Sequence, residues 1–259
     1  MSKDIVRILE GWDFDPNDVV VRVVKGEDGR EKIQLRIDMG LMQMEMAGRP
    51  DGKRPEGCES WLEYYQQQQR QHELTSSDSV PFQLDDEDCA RLLREGIQYY
   101  HRYLSFWHLG RFDLCVRDTK RNLDLFAFVR AHAHGERNKL QFDQWRPYVI
   151  MMHTRSVATP LTMQEKYGEA LRAIDSGIDE IRDFLEEHGQ ADEAEEFAEL
   201  VNLERWRDEI VEKQSQAGQA DPSDAVQSLR RRLQVAVAAE RFEEAARLRD
   251  EIRRLAEPS

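Results

Sequence analysis

Residues 229–255 have the sequence LRRRLQVAVAAERFEEAARLRDEIRRL, in which apolar residues recur at helical spacing on both sides of a short polar turn. The two apolar stripes consist of Leu229, Leu233, Ala236 and Val237, and of Phe242, Ala245, Leu248, Ile252 and Leu255. Residues three or four apart lie on one face of a helix, so each stripe indicates one amphipathic helix. Only Glu240 and Arg241 are left for a tight turn. The stretch therefore predicts two antiparallel helices packed through their stripes.

The remaining residues of this stretch also favour a helical pair. Charges on the outer faces recur four residues apart, as in Glu243–Arg247 and Asp250–Arg254, which stabilises helices modestly. Small residues let the two helices approach closely, namely Ala238, Ala239, Ala245 and Ala246. About forty residues bury too little apolar surface to be stable alone. We therefore expect the hairpin to pack on a further surface.

The whole stretch from Leu229 to Leu255 closely resembles the UVR motif, including its core, FEEAARLRD, at Phe242 to Asp250. This motif is shared by the excision-repair proteins UvrB and UvrC, the kinase activator McsA and some Clp-family unfoldases. The resemblance implies a hairpin that pairs with a partner's UVR-type hairpin or a related helical surface. The partner-binding residues would then be Leu229, Leu233, Val237, Phe242, Ala245, Ala246, Leu248, Arg249, Asp250, Ile252 and Leu255. The alternative is a hairpin that caps the preceding helices of its own chain.

Outside this motif, the chain does not resemble UvrB or McsA. The chain has no Gly-x4-Gly-Lys-Ser/Thr loop of an UvrB-type ATPase, and it has none of the paired CxxC zinc ligands of McsA. Neither of those functions carries over. The whole chain is similar to bacterial proteins described only as containing a UvrB/UvrC motif, which names no activity.

Residues 57–212 have the periodicity of a helical domain. Asp85 to Asp88 provide an N-cap and an acidic first turn. The helices that we expect cover about 61–71, 86–110, 112–131, 142–157, 167–187 and 191–212, with Pro160 ending or kinking the helix at 142–157. Residues 109–116 resemble 165–171, since both place an aromatic between two amphipathic helices. This pattern is similar to the turns of tetratricopeptide (TPR) repeats, so we predict a diverged TPR-like array, with an ordinary helical bundle as the alternative.

Residues 1–56 indicate a β-hairpin-containing part. Val19 to Val24 is a β-branched run, Asp28-Gly29 is a turn signal, and residues 33–39 alternate between apolar and polar. The phase slips at Gly40, which predicts a bulge or bend. The methionines Met39, Met42, Met44 and Met46 form either a soft binding groove or part of a core face.

Residues 213–224 are polar and almost free of large apolar groups, so they predict a linker between the helical domain and the hairpin of residues 225–259. Three cysteines without a CxxC pair indicate free thiols in a reducing cytoplasm. No apolar run suggests a membrane span or a signal peptide. Net charge is −2 over 1–56, −12 over 57–220 and zero over 221–259, and an acidic middle disfavours direct nucleic-acid binding.

No pattern in the chain supports a catalytic set, a metal site or a cofactor. His132 and His134 lack a third ligand, and the acids at 85–88 lack the glycine turn of an EF-hand. Cys89 and Cys115 are expected to be buried small hydrophobes, and His101 and His108 to pack at the core edge. We therefore expect a non-enzyme, mainly α, that acts as a protein–protein interaction adaptor. A second protein would bind the helical middle. The alternative is a DNA excision-repair accessory with direct or UvrB/UvrC-mediated DNA contact.

Overall fold

A computed structural model describes residues 4–75, 81–218 and 241–256 of the chain, together with residues 226, 229, 230, 233, 234, 236 and 237 between them. The fold is mainly α with a small antiparallel sheet near the N-terminus, as predicted. The helices are α1 (Val6–Leu9), α2 (Trp61–Thr75), α3 (Asp86–His108), α4 (Phe112–His132), α5 (Glu136–Asp143), α6 (Arg146–Met163), α7 (Tyr167–Glu187), α8 (Ala198–Gln216) and α9 (Phe242–Ala256). The strands are β1 (Val21–Lys25), β2 (Glu31–Ile37) and β3 (Gly40–Glu45). Short 3-10 turns cover Pro55–Gly57 and Ala191–Glu193.

The chain forms two compact units, one up to Ser156 and one from Val157 onwards. This division falls inside α6, so it does not coincide with the predicted boundaries at 56, 212 and 224, which stay predictions. The predicted linker begins within α8, which ends at Gln216, and residues 219–224 lie outside the described residues.

The N-terminal sheet has three strands in the order β1-β2-β3, where the sequence predicted a hairpin with a bulge or bend. The phase slip at Gly40 marks a turn between strands, since Ile37 pairs with Gly40 and leaves a two-residue loop. The methionines do not share one surface: Met44 is buried in the sheet's core face beside Ile33, whereas Met39 is 90% exposed at the tip of that loop. A strand at Glu31–Ile37 was therefore confirmed, but the predicted half-buried alternation was wrong, because Lys32 and Gln34 are buried together with Ile33 and Leu35 while Ile37 is 36% exposed. The extra strand came from a local turn.

Helix α3 begins with a capping box at the predicted acidic run. The Asp85 carboxylate accepts a hydrogen bond from the Asp88 backbone N–H at 2.8 Å, and the Asp88 carboxylate accepts one from the Asp85 N–H at 3.3 Å. These acids satisfy backbone donors that the first helical turn leaves free, which is why this helix begins here.

The two similar sequence stretches at 109–116 and 165–171 form the same helix-ending turn. Gly110 and Glu165 both have a left-handed backbone, at φ 67° and 58°. The next residue in each turn donates its N–H five residues back, Arg111 to Phe106 and Lys166 to Leu161, both at 2.9 Å. This is a Schellman closure, and an aromatic then starts the following helix. The local likeness is therefore real, while a TPR-like array stays a prediction.

Pro160 neither ends α6 nor lies outside it, since the helix continues to Met163. Proline removes one backbone donor and lies in the last turn of this helix, so little of the helix depends on the missing bond. The segment that was expected to start near Phe142 is divided between α5 and α6.

Buried charges join the sheet to the helices in the first unit. Arg102 on α3 and Asp118 on α4 are each 1% exposed and form a bidentate pair at 2.6 and 3.0 Å. The Arg102 guanidinium also donates to the backbone carbonyls of Glu45 and Gly48, at 3.0 and 2.8 Å. One guanidinium thereby joins α3, α4 and the end of β3.

Glu95 on α3 is fully buried and plays the corresponding role for α2. Its carboxylate accepts the backbone N–H groups of Trp61 and Leu62, at 2.8 and 3.2 Å, which caps the first turn of α2. Arg121 donates to the same carboxylate, and Arg49 lies 3.4 Å from it. In the second unit, α7 packs along α8, and the buried Arg207 pairs with Asp175 at 2.6 Å.

Candidate partner-binding surface of the C-terminal hairpin

The predicted stripes of the hairpin pack on one another. Leu229, Ala236, Ala245 and Leu248 are buried at 8%, 1%, 7% and 4% exposure, and Leu233 and Ile252 pack partly buried against them. At the turn, the Arg241 backbone N–H donates to the Ala236 carbonyl at 2.8 Å. Alanine at two of the four buried positions permits this close approach, and the described part of the hairpin therefore has a small core of its own.

Two large apolar side chains at the turn stay outside that core. Val237 is 51% exposed and Phe242 is 68% exposed, although the sequence analysis assigned both to the packed stripes. Phe242 is the first residue of α9, and helical side chains tilt towards the helix N-terminus. Its ring therefore projects beyond the stripe instead of lying over it. The hairpin presents an apolar patch, which we call the turn patch (Val237 and Phe242).

Charged and small residues of the predicted set are exposed along α9. Ala246 is exposed, and the side chains of Arg249 and Asp250 are 65% and 53% exposed with 3.5 Å between their charged atoms. The side chains of Glu243, Arg254 and Leu255 lie outside the described residues, as do Ala238, Ala239 and Glu240. Of the predicted partner-binding residues, the hairpin thus buries some in its own core and leaves others exposed.

Neither of the two cysteines expected in the core is suited to nucleophilic chemistry. Cys89 and Cys115 are buried, and burial raises their pKa to about 11 and about 12. Nucleophilic cysteines act as thiolates, so both groups are protonated and inert near neutral pH. Cys58 is partly exposed.

The histidines that the sequence singled out differ in their surroundings. The rings of His132 and Phe128 lie 4.7 Å apart, and His134 contacts the side chain of Gln83 at 3.1 Å. His101 is partly buried, as expected for the core edge, whereas the same prediction was wrong for His108, which is exposed near the end of α3. Among the described residues, no group of three His, Cys, Asp or Glu side chains could hold a metal ion.

The buried charges were missed by the sequence analysis, although a signal for them exists. On α3 the buried face contains Leu92, Glu95, Tyr99, Arg102 and Phe106, at spacings of three and four residues. A charged residue at a position in an apolar stripe predicts a buried ion pair, because an unpaired charge there is costly. Asp118 lies in the same way on the buried face of α4.

No helix in the described ranges combines the length and the apolar character that crossing a membrane requires.

Comparison with known proteins supports the motif and leaves the rest of the chain unmatched. No curated protein and no solved structure matches the chain. The family model UVR, described as the UvrB/uvrC motif, matches residues 224–257, which include the described hairpin with its buried stripe and its turn patch. The chain therefore contains a UVR motif at residues 224–257 within a mainly helical fold.

Proposed function

We propose that this protein is a non-catalytic adaptor whose hairpin binds the UVR-type hairpin, or a related helical surface, of a partner protein. The observation that carries the proposal is the turn patch. Val237 and Phe242 are exposed beside a hairpin core that is already filled by Leu229, Ala236, Ala245 and Leu248. Side chains that the hairpin does not need for its own packing are free to bind a partner.

The chemistry of the patch suits a protein interface. Exposed aromatic residues are frequent binding hot spots, since they bury a large apolar area with few rotatable bonds. Arg249 and Asp250 lie exposed on the same helix and would form a polar rim that affects association rate and salt dependence.

The helical middle is proposed to hold a second protein. Residues 57–220 have a net charge of −12, which repels a phosphate backbone and favours a partner that is basic or neutral. In this proposal the chain brings two proteins together and needs neither a cofactor nor a metal.

The test is quantitative affinity purification from the native cell with four forms of the chain: the full chain, a chain ending at Ala220, Phe242→Ala and Leu74→Ala. Leu74 is the matched control, because it is also a large apolar residue, 83% exposed on α2 and remote in sequence from the hairpin. A partner of the hairpin should be recovered with the full chain and with Leu74→Ala, and lost with the other two. Equal recovery by all four forms would reject the adaptor proposal.

Direct DNA contact is the outcome that would replace the proposal. Non-specific DNA binding typically has a Kd of about 10⁻⁴–10⁻⁶ M at physiological salt. A salt-dependent Kd below about 1 μM for duplex DNA, unchanged in Phe242→Ala, would instead indicate an excision-repair accessory that contacts DNA itself.

A further inference from the structure

The first compact unit contains a cleft that the hairpin-based function does not use. Its volume is about 560 Å³, and its lining comes from α3, α4, α5, the turn before α6 and the first residues of α6. Small-molecule sites typically have volumes of about 300–1,000 Å³. The cleft therefore has the size of a ligand site.

Aromatic rings form much of the lining. Tyr100 and Tyr148 lie with ring centroids 6.2 Å apart, and Phe126 and Phe142 meet edge to face at 6.0 Å. Trp145 lines the cleft at 55% exposure. These rings offer flat apolar faces against which an aromatic ligand can stack.

The lining is free of formal charge. Asp, Glu, Lys and Arg make up 34% of the chain, yet none of the fourteen residues that line the cleft is one of them. His101 is the only titratable group of the lining that could be charged near neutral pH, and burial lowers its pKa, which favours the neutral ring. Moving an ion from water into such surroundings is costly, so the lining selects an uncharged occupant.

The polar side chains of the lining are uncharged, and two of their amides are already engaged. The Asn122 amide donates to the Gly96 carbonyl at 3.0 Å, and the Gln144 amide donates to the Gln141 carbonyl at 3.0 Å. Within the part of the chain that the structure describes, the ring nitrogens of His101 form no hydrogen bond. A neutral imidazole has one donor and one acceptor, so His101 can meet one hydroxyl or carbonyl group of a ligand.

We propose that this cleft binds an uncharged small molecule with an aromatic body and one hydroxyl or carbonyl group. The aromatic body would stack on Tyr100 and Trp145, and the polar group would bond to His101. A whole small molecule is favoured over a partner's helix, because residues from four different helices and a turn converge on a concave site, whereas a docked helix needs an extended groove.

Two matched probes test the charge preference on the full chain. 2-Naphthol is uncharged and has one hydroxyl, while 2-naphthoate has the same fused ring and a negative charge. By isothermal titration calorimetry or ligand-observed NMR, 2-naphthol is expected to bind with a Kd of about 0.1–1 mM, as suits a molecule of this size. 2-Naphthoate should bind at least about ten-fold more weakly. Equal affinity for the two probes would overturn the proposal.

Three variants test the location. Trp145→Ala removes a lining ring, and Ile97→Glu places a carboxylate at a lining position that is 47% exposed, where a charged side chain can still reach water. Leu140→Ala is the control, because Leu140 is 56% exposed on α5 but does not line the cleft. Both lining variants should weaken 2-naphthol binding about ten-fold or more, with the control within about two-fold of the original chain. Melting curves verify that all three variants are folded.

Unchanged binding in Trp145→Ala and in Ile97→Glu would place the naphthol site elsewhere and overturn the proposal. The absence of 2-naphthol binding, combined with partner protein recovery that is lost in Trp145→Ala, would assign the cleft to a partner's side chain instead. These results do not depend on the turn patch, so failure here leaves the adaptor proposal intact.

Discussion

At the scale of a single residue, the adaptor proposal makes Phe242 a binding residue and Leu248 a stabilising one. Its ring is 68% exposed, whereas Leu248 on the same helix is 4% exposed. The first can be removed without opening the hairpin core, and the second cannot.

We expect Phe242→Ala to weaken partner binding by about 2 kcal/mol or more, a hot-spot effect, with a small change in the free energy of unfolding. Leu248→Ala should lower the free energy of unfolding by about 2–5 kcal/mol, because it leaves a cavity in a small core. Chemical denaturation and a partner titration of both variants give the two quantities. A Phe242→Ala protein that is as destabilised as Leu248→Ala would show that the ring is packed after all.

The buried Arg102–Asp118 pair provides a second residue-scale prediction. Asp118→Asn leaves a buried guanidinium without its charged partner, and breaking such pairs typically costs about 3–5 kcal/mol. Asp124→Asn is the control on the same helix, because its carboxylate is 53% exposed and its pair with Lys120 should contribute less than about 1 kcal/mol. Urea unfolding compares the two. Equal losses would mean that the buried pair does not hold the sheet to the helices.

At the scale of the element, two helix-ending turns have the same backbone conformation but a different residue at the left-handed position. The left-handed position is glycine in one turn, Gly110, and glutamate in the other, Glu165. A left-handed backbone strains every residue with a Cβ, so the second turn stores strain that the first does not.

Introducing glycine in the second turn and removing it from the first should therefore change stability in opposite directions. Glu165→Gly should stabilise the second unit by roughly 0.5–1 kcal/mol, since the exposed Glu165 side chain contributes little that could be lost. Gly110→Ala should destabilise the first unit by about 1 kcal/mol. Differential scanning calorimetry measures both, and a shift of the same sign in both variants would contradict the shared turn geometry.

At the scale of the whole molecule, the adaptor proposal requires a hairpin that is tethered to the helical body and does not cap it. Residues 217–224 contain no large apolar side chain, so an unpacked connection between α8 and the hairpin is expected. Limited proteolysis should therefore cut first within 217–224 and release an intact helical body, as mass spectrometry of the fragments would show. First cleavage inside α7 or α8, with 217–224 left intact, would favour a hairpin that caps its own chain.

Much of the fold could be predicted from the sequence because it depends on residues that are near one another in the chain. Apolar spacing of three and four residues determined most of the helices and the two stripes of the hairpin, and the alternation around Ile33 and Leu35 determined a strand. The Asp85 cap is equally local. The hairpin family likewise followed from one continuous stretch of the chain.

Only the tertiary structure decided which side chains lie inside. The Arg102 contact with the Glu45 carbonyl joins residues 57 positions apart, and the cleft combines residues of several helices, so neither follows from local periodicity. Phe242 has the spacing of a core residue, but it is the first residue of α9 and its ring is 68% exposed. The sequence by itself thus determined the elements and the motif, because hydrogen bonding and apolar spacing act over a few residues. Burial and the candidate sites were decided by tertiary packing, because they require side chains that are far apart in the chain.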